Sequence, residues 1–202
     1  MIEKNISNKA LMKFYKHFIK KSINQLYKSK GKNTRIFFDT CAILKLYNHY
    51  GSDILKSNKP HNMPEYIITN QVLEELENQK LSRRKNDKGR LLCPYELMNA
   101  VYSRIGEESL LVLPTFVKPE QLNQMKSVAD ELSNNKRISE ADASLIIATR
   151  DVFEKGKNQF IISSDSDLLT LMYEQKKNRN IITAGIITPE LYRLTSEANG
   201  FY

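Results

Sequence analysis

Apolar runs only four or five residues long alternate in this chain with stretches whose apolar residues recur every three or four positions. That alternation admits few folds. The short runs are Arg35–Asp39, Tyr66–Thr69, Leu110–Leu113, Phe160–Ser163 and the shorter Ile181–Thr183. Each reads as a strand buried on both faces. Helical periodicity falls on residues 8–29, 40–50, 71–79, Pro94–Ile105, Pro119–Ser133, Glu140–Glu154 and Asp167–Glu174, and Pro189 opens a last short helix. Residues 80–93 are polar and basic and read as a loop. Buried strands joined by helical crossovers predict an α/β fold with a parallel sheet covered on both faces. In such sheets ligands sit beyond the carboxyl ends of the strands, where strand order reverses.

Carboxylates gather at those strand ends. Asp39 follows Ile36-Phe37-Phe38, and Asp165 and Asp167 follow the run FIISS. Asp39 also suits a helix N-cap. Glu74 and Glu75 lie on a helix whose apolar stripe is Val72, Leu73 and Leu76. At roughly 100° per residue, Glu75 falls about 110° from the stripe centre and Glu74 about 150°, so Glu75 is the one able to turn toward the sheet. Asp142 heads a stripe of Leu145, Ile146, Thr149, Val152 and Phe153 and shares its inward face. Ser139-Glu140-Ala141-Asp142 also resembles a capping box with Asp in place of Glu. An acid on an inward face needs a partner, because an unpaired buried charge is costly. Clustered carboxylates repel one another and call for a cation, and oxygen-only ligation points to Mg²⁺ or Mn²⁺.

The charge is unevenly spread. Of the formal +8, residues 1–32 hold nine Lys and one Glu, while the other 22 Lys/Arg and 22 Asp/Glu cancel. The division expected is a basic, amphipathic helical arm over 1–32 and a single folded domain over 33–202. Within the arm, Ala10, Leu11, Phe14, Tyr15, Phe18, Ile19, Ile23, Leu26 and Tyr27 form the apolar stripe, and Lys9, Lys13, Lys16, Lys20 and Lys28 take the other faces. Such a helix docks its stripe on the domain, on a second copy in a homodimer, or on a protein partner or inhibitor. Its lysines suit RNA or, less well, an anionic membrane surface. No run of 18 apolar residues exists, so no transmembrane segment is expected. The lysine-rich start lacks an apolar h-region, so no secretory signal is expected and the cytoplasm is the expected compartment. Neither Cys41 nor Cys93 has metal-site spacing. Cys41, directly after a strand, reads as a small hydrophobe, and nothing demands a disulfide.

Four segments together, RIFFDTCAIL, YIITNQVLEELENQK, ISEADASLIIATRDV and FIISSDSDLLTL, resemble PIN-domain nucleases in order and approximate spacing from about Thr34 to about Leu194. The resemblance implies a three-layer sandwich with a five-stranded parallel sheet ordered 3-2-1-4-5. It places the family's acids on Asp39, Glu75, Asp142 and Asp165, with a further acid at Asp167 and hydroxyl neighbours at Thr40 and Ser163. It also implies Mg²⁺- or Mn²⁺-dependent hydrolysis of phosphodiester bonds, usually in RNA. The added N-terminal helix and the long basic segment set the chain apart from the compact toxin members of toxin–antitoxin pairs.

The activity expected is thus a metal-dependent ribonuclease, an endoribonuclease of the toxin or RNA-processing kind. Asp39, Asp142, Asp165 and Asp167 are the expected metal ligands, and Asp39, Glu75, Asp142 and Asp165 the expected catalytic set. Thr40, Ser163, Arg83, Arg84 and Lys85 would meet the substrate. A haloacid-dehalogenase-like phosphatase would need a second Asp two residues after Asp39, where Cys41 stands. A non-catalytic RNA-binding module of the same fold is the other alternative, but it has no use for a full set of acids.

Overall fold

In a computed structural model the described residues are 8–55, 64–83, 85, 91, 93–132, 138–177 and 184–199. Five strands, β1 (Thr34–Phe38), β2 (Glu65–Thr69), β3 (Leu110–Leu113), β4 (Asn158–Ile162) and β5 (Gly185–Ile187), form one sheet in the order 3-2-1-4-5. Every pairing is parallel. The helices are α1 (Asn8–Ser29), α2 (Thr40–Tyr50), α3 (Asn70–Ser82), α4 (Tyr95–Gly106), α5 (Pro119–Leu132), α6 (Glu140–Asp151), α7 (Ser166–Lys177) and α8 (Pro189–Asn199).

The sheet forms because its strands are apolar on both faces and helices cover them. Ile36, Phe37, Phe38, Ile68, Ile161 and Ile162 are fully buried. Phe38 meets Tyr66 and Tyr192 edge-on, joining β1, β2 and α8. The crossovers from β1 run first toward β2 and β3 and then back past β1 to β4. The reversal therefore lies between β1 and β4, and the crevice of such a sheet opens at their carboxyl ends.

Helix α1 lies on β4 and β5 and against α7 and α8. Leu26, Phe18 and Ser22 are its buried residues. Ser22 Oγ donates to the Phe18 carbonyl at 2.9 Å and accepts from the Ile186 N–H at 3.2 Å, so α1 is stitched to β5. From Phe14 to Leu26 the stripe read from the sequence thus docks on the chain's own fold, whereas Tyr27, counted in it, turns outward at 57% exposed. No helix among the described residues is long and apolar enough to cross a membrane.

Several boundaries differ from the sequence reading; helix α7, for one, runs on to Lys177 rather than Glu174, and β4 starts at Asn158 rather than Phe160. The last strand was expected at Ile181–Thr183, which lies outside the described residues; β5 is Gly185–Ile187. A Cβ at Gly185 would come 2.5 Å from Ser22 Oγ and 2.9 Å from Phe160 Cδ1, so only glycine admits this approach of α1. Helix α6 ends at Asp151 rather than Glu154: Gln159 Nε2 takes the Thr149 carbonyl at 3.2 Å, and the Phe153 N–H donates instead to the Arg150 carbonyl, three residues back, at 3.1 Å. Helix α3 runs on to Ser82 and stops at Arg83, whose φ of 48° is left-handed.

Candidate active site

Each acid is placed by backbone that the sheet fixes. The Asp39 N–H donates to the Ile162 carbonyl at 3.1 Å, extending the β1–β4 ladder by one residue, and Ser163 N–H donates to the Ile187 carbonyl at 3.1 Å. Asp39 precedes α2, yet its carboxylate makes no capping bond to that helix. It accepts instead from Ser163 Oγ at 2.6 Å and from Cys41 Sγ at 2.9 Å, and the residue is 5% exposed. The N-cap explanation for an acid at this position therefore fails.

Asp142 does cap. Its Oδ2 accepts from the Ser139 N–H at 2.9 Å and lies 2.8 Å from Ser139 Oγ, while its own N–H donates to that hydroxyl at 3.1 Å. The capping box is complete, and Asp142 is nonetheless only 5% exposed. With Oδ2 committed, Oδ1 has no hydrogen bond among the described residues. Asp165 is half-buried. Its N–H donates to Ser163 Oγ at 2.9 Å, and its Oδ1 accepts from the Asp167 N–H at 2.6 Å as the first turn of α7 begins. Asp167 is also half-buried, with Ser166 Oγ 3.1 Å from its Oδ1.

These carboxylates feel one another. Burial pushes the Asp39 carboxyl above its ordinary range; bonds from Cys41 and Ser163 pull it back, and the charge on Asp165 pushes it up again. Burial, then the charge on Asp39, pushes Asp142 from 3.8 up to about 7 against the Ser139 bonds, and Asp165 adds to the rise. Asp39, Asp142 and Asp165, more than 100 residues apart at the extremes, therefore share one electrostatic environment at the reversal between β1 and β4.

Glu75 joins through a hydroxyl. Thr40 Oγ1, next to Asp39, donates to Glu75 Oε2 at 2.8 Å, and Gln79 Nε2 donates to Oε1 at 3.4 Å. Glu74, one residue earlier, is exposed, as the helical angle predicts. Thr69 helps fix this arrangement: its hydroxyl accepts from the Val72 N–H at 3.3 Å and meets Ser144 Oγ at 2.6 Å, tying α3 to α6.

Cys41 corrects the sequence reading. It is not a packing hydrophobe; its thiol donates to Asp39 and touches Ser164 Oγ at 3.4 Å. Burial and the Asp39 charge push the thiol up to about 11, so it stays a neutral donor. Both cysteines are free. A signal for this existed in the sequence: side chains in the first turn of a helix lean toward its N-terminus, so residue 41 leans back toward residue 39. Gln79 had one too, at four residues from Glu75. Of the basic residues, Arg83 and Lys85 are exposed, Lys85 forming a lone antiparallel bridge with Leu91, and Arg84 lies outside the described residues.

The donor chemistry, hard oxygens on the buried Asp39 and Asp142 and the half-buried Asp165, fits Mg²⁺ or Mn²⁺. Among the described residues, however, no group of three or more His, Cys, Asp or Glu side chains already stands in ligand geometry. The Asp142 and Asp39 oxygens are held instead by bonds to Ser139, Ser163 and Cys41. No family model matches the chain, and no curated protein or solved structure matches it either.

Proposed function

We propose that the chain is a divalent-metal-dependent ribonuclease of the PIN-domain kind, cutting RNA phosphodiester bonds at the carboxyl edge of the sheet. One observation carries the reading. Asp39 and Asp142, both buried, and the half-buried Asp165 come from distant segments into range of one another's charge, and burial first, then that charge, drives Asp39 and Asp142 toward protonation. Among the described residues no cationic side chain hydrogen-bonds any of the three. Uncompensated like charge of this kind is what a divalent ion relieves.

Asp39, Asp142 and Asp165 would hold Mg²⁺ or Mn²⁺, with Glu75 and Asp167 contributing directly or through water. A bound divalent ion supplies a water of lowered pKa as nucleophile and offsets charge on the phosphate. The protein's own groups do the rest. Ser163 and Cys41 orient the Asp39 carboxylate, Ser139 fixes Asp142 so that Oδ1 stays available, and Thr40 with Gln79 aims Glu75. Burial of Asp39 and Asp142 keeps bulk water away, which strengthens every charge interaction there. The sheet order is also the one that the PIN resemblance of the sequence implies.

The test is cleavage of a mixed RNA pool with Mg²⁺ or Mn²⁺ by the wild-type chain and by Asp39→Asn and Asp165→Asn. The expected result is cleavage that chelation stops and that each variant lowers by roughly a thousandfold. Equal cleavage by the variants would remove these residues from the reaction. Turnover of p-nitrophenyl phosphate without RNA cleavage would favour a phosphatase instead.

A further inference from the structure

Helix α1 carries Lys9, Lys13, Lys16, Lys20, Lys21 and Lys28 and no acidic residue. Its buried residues Phe18, Ser22 and Leu26 recur every four positions on one side. Lys13, Lys16, Lys20, Lys21 and Lys28 are all exposed, and none of these five is ion-paired among the described residues. Along that outer side runs a groove of about 480 Å³ lined by His17, Lys20, Lys21, Asn24, Gln25 and Lys28. Tyr27, 57% exposed, follows Asn24 by three residues and Lys20 by seven, about two helical turns, and so belongs to the same face. We propose that this lysine face is a track for the phosphate backbone of single-stranded RNA, which it leads to the carboxylate cluster.

The inference rests on the ribonuclease reading for its partner and adds the route by which that partner reaches the site. Three observations favour RNA over a membrane surface. First, the apolar stripe is occupied: it packs on β4 and β5, so α1 has no apolar face left to insert among lipids. Second, the exposed face pairs regularly spaced cations with an exposed aromatic ring, the combination by which single strands are held without sequence preference. Third, the face points the right way. Ser29, at the end of α1, meets Thr34 at the start of β1, so that end lies at the amino edge of the sheet. Further up, Tyr15 Oη meets Thr170 Oγ1 of α7 at 2.8 Å, and α7 begins beside Asp165 at the opposite edge. From Lys28 to Lys13 the helix rises about 22 Å, enough to pass the height of a five-residue strand. A strand of RNA laid along it from the amino edge arrives at the cluster. A fixed helix also makes the cations pre-ordered, which lowers the entropic cost of binding.

The experiment separates this track from catalysis. Binding of fluorescein-labelled single-stranded RNA is measured by anisotropy in EDTA, where a metal-dependent reaction is silent, for the wild-type chain and for Lys16→Gln/Lys20→Gln/Lys21→Gln/Lys28→Gln. The expected loss is about tenfold or more in affinity near 0.1 M salt, with the salt slope shallower by about 0.7 per lysine engaged. The matching fourfold Lys→Arg variant should bind as wild type, and Tyr27→Ala should weaken binding about fivefold. An unchanged affinity and slope for the Gln variant overturns the proposal. So does retention on phosphatidylserine–phosphatidylcholine vesicles that RNA does not displace, which would assign the face to a membrane. Failure of the ribonuclease reading looks different: RNA bound through α1 but never cut with Mn²⁺ keeps the track and removes the reaction.

Discussion

The two edges of the sheet handle charge in opposite ways. At the amino edge, Arg35 reaches Glu65 at 2.7 Å and Glu154 at 3.2 Å, and Lys157 reaches the same two acids at 2.9 and 3.3 Å. Burial by itself would raise Glu65, but hydrogen bonds from Arg35 and Lys157 more than reverse this and hold it below its ordinary value. At the carboxyl edge the acids meet hydroxyls, a thiol, backbone N–H groups and one another, and Asp39 and Asp142 rise. Both edges lie within one strand length, about 16 Å, of each other. Opposite charges at the first edge are paired; among the described residues the like charges at the second hydrogen-bond no cationic side chain, which is what the proposed divalent ion would relieve. The lesson is that acidic residues near a sheet edge mean little until their partners are known.

The comparison breaks most sharply at Asp142. In the unfolded chain its carboxyl ionises near 3.8, and in the fold near 7. Folding therefore retains a proton between those values, so stability from this group falls as pH rises from about 4 through 7 and stays lost above. The loss is up to about 4 kcal/mol. Asp142→Asn, which keeps an acceptor for Ser139, should raise the melting temperature in EDTA at pH 8, make little difference near pH 4, and lower RNA cleavage. By the same reasoning Mn²⁺ should stabilise the wild type by about 3 kcal/mol at a hundredfold excess over its dissociation constant at pH 8, less at pH 5, and less again in Asp142→Asn. A variant that is destabilised at pH 8 would mean that the edge is not charge-strained at all.

At the amino edge the sign reverses. Arg35→Ala removes the bonds to Glu65, Glu154 and the Val152 carbonyl and should cost about 2 kcal/mol, measured by urea unfolding, with RNA cleavage unchanged. Cleavage lost along with stability would blur the division between the edges. A smaller effect is expected at Thr40→Val. Glu75 loses its 2.8 Å donor, stability falls by about 1 kcal/mol, and cleavage drops roughly tenfold, because only the aim of one acid is disturbed.

Much of this architecture was legible in the residues, and the failures have physical causes. Strand and helix periods distinguish β1, β2, β3 and most helices with no tertiary information. They did not find β5 at Gly185–Ile187, three residues being too few to show a period; Ser22 of α1, far away in sequence, bonds its backbone. Val152 and Phe153 fit the stripe of α6, yet the Thr149 carbonyl that would continue the helix accepts from Gln159 of β4. Glu75 over Glu74 followed from helical angle, a local quantity. For Cys41 the bond to Asp39, two residues away, had a local signal, while its contacts with Ser163 and Ser164, more than 120 residues away, had none.

The sequence by itself determined the alternation of elements, the side of each helix that faces inward, and an acid beside each of several strand ends. These follow from local period and from the cost of burying charge or exposing hydrocarbon. Only the tertiary structure decided that Asp39, Asp142 and Asp165 share one environment while Glu65 and Glu154 are neutralised by cations. It also set the lysines of α1 on the outside of the same body. Charge interactions depend on distance through space and on exclusion of water, and neither is a property of a position in a chain.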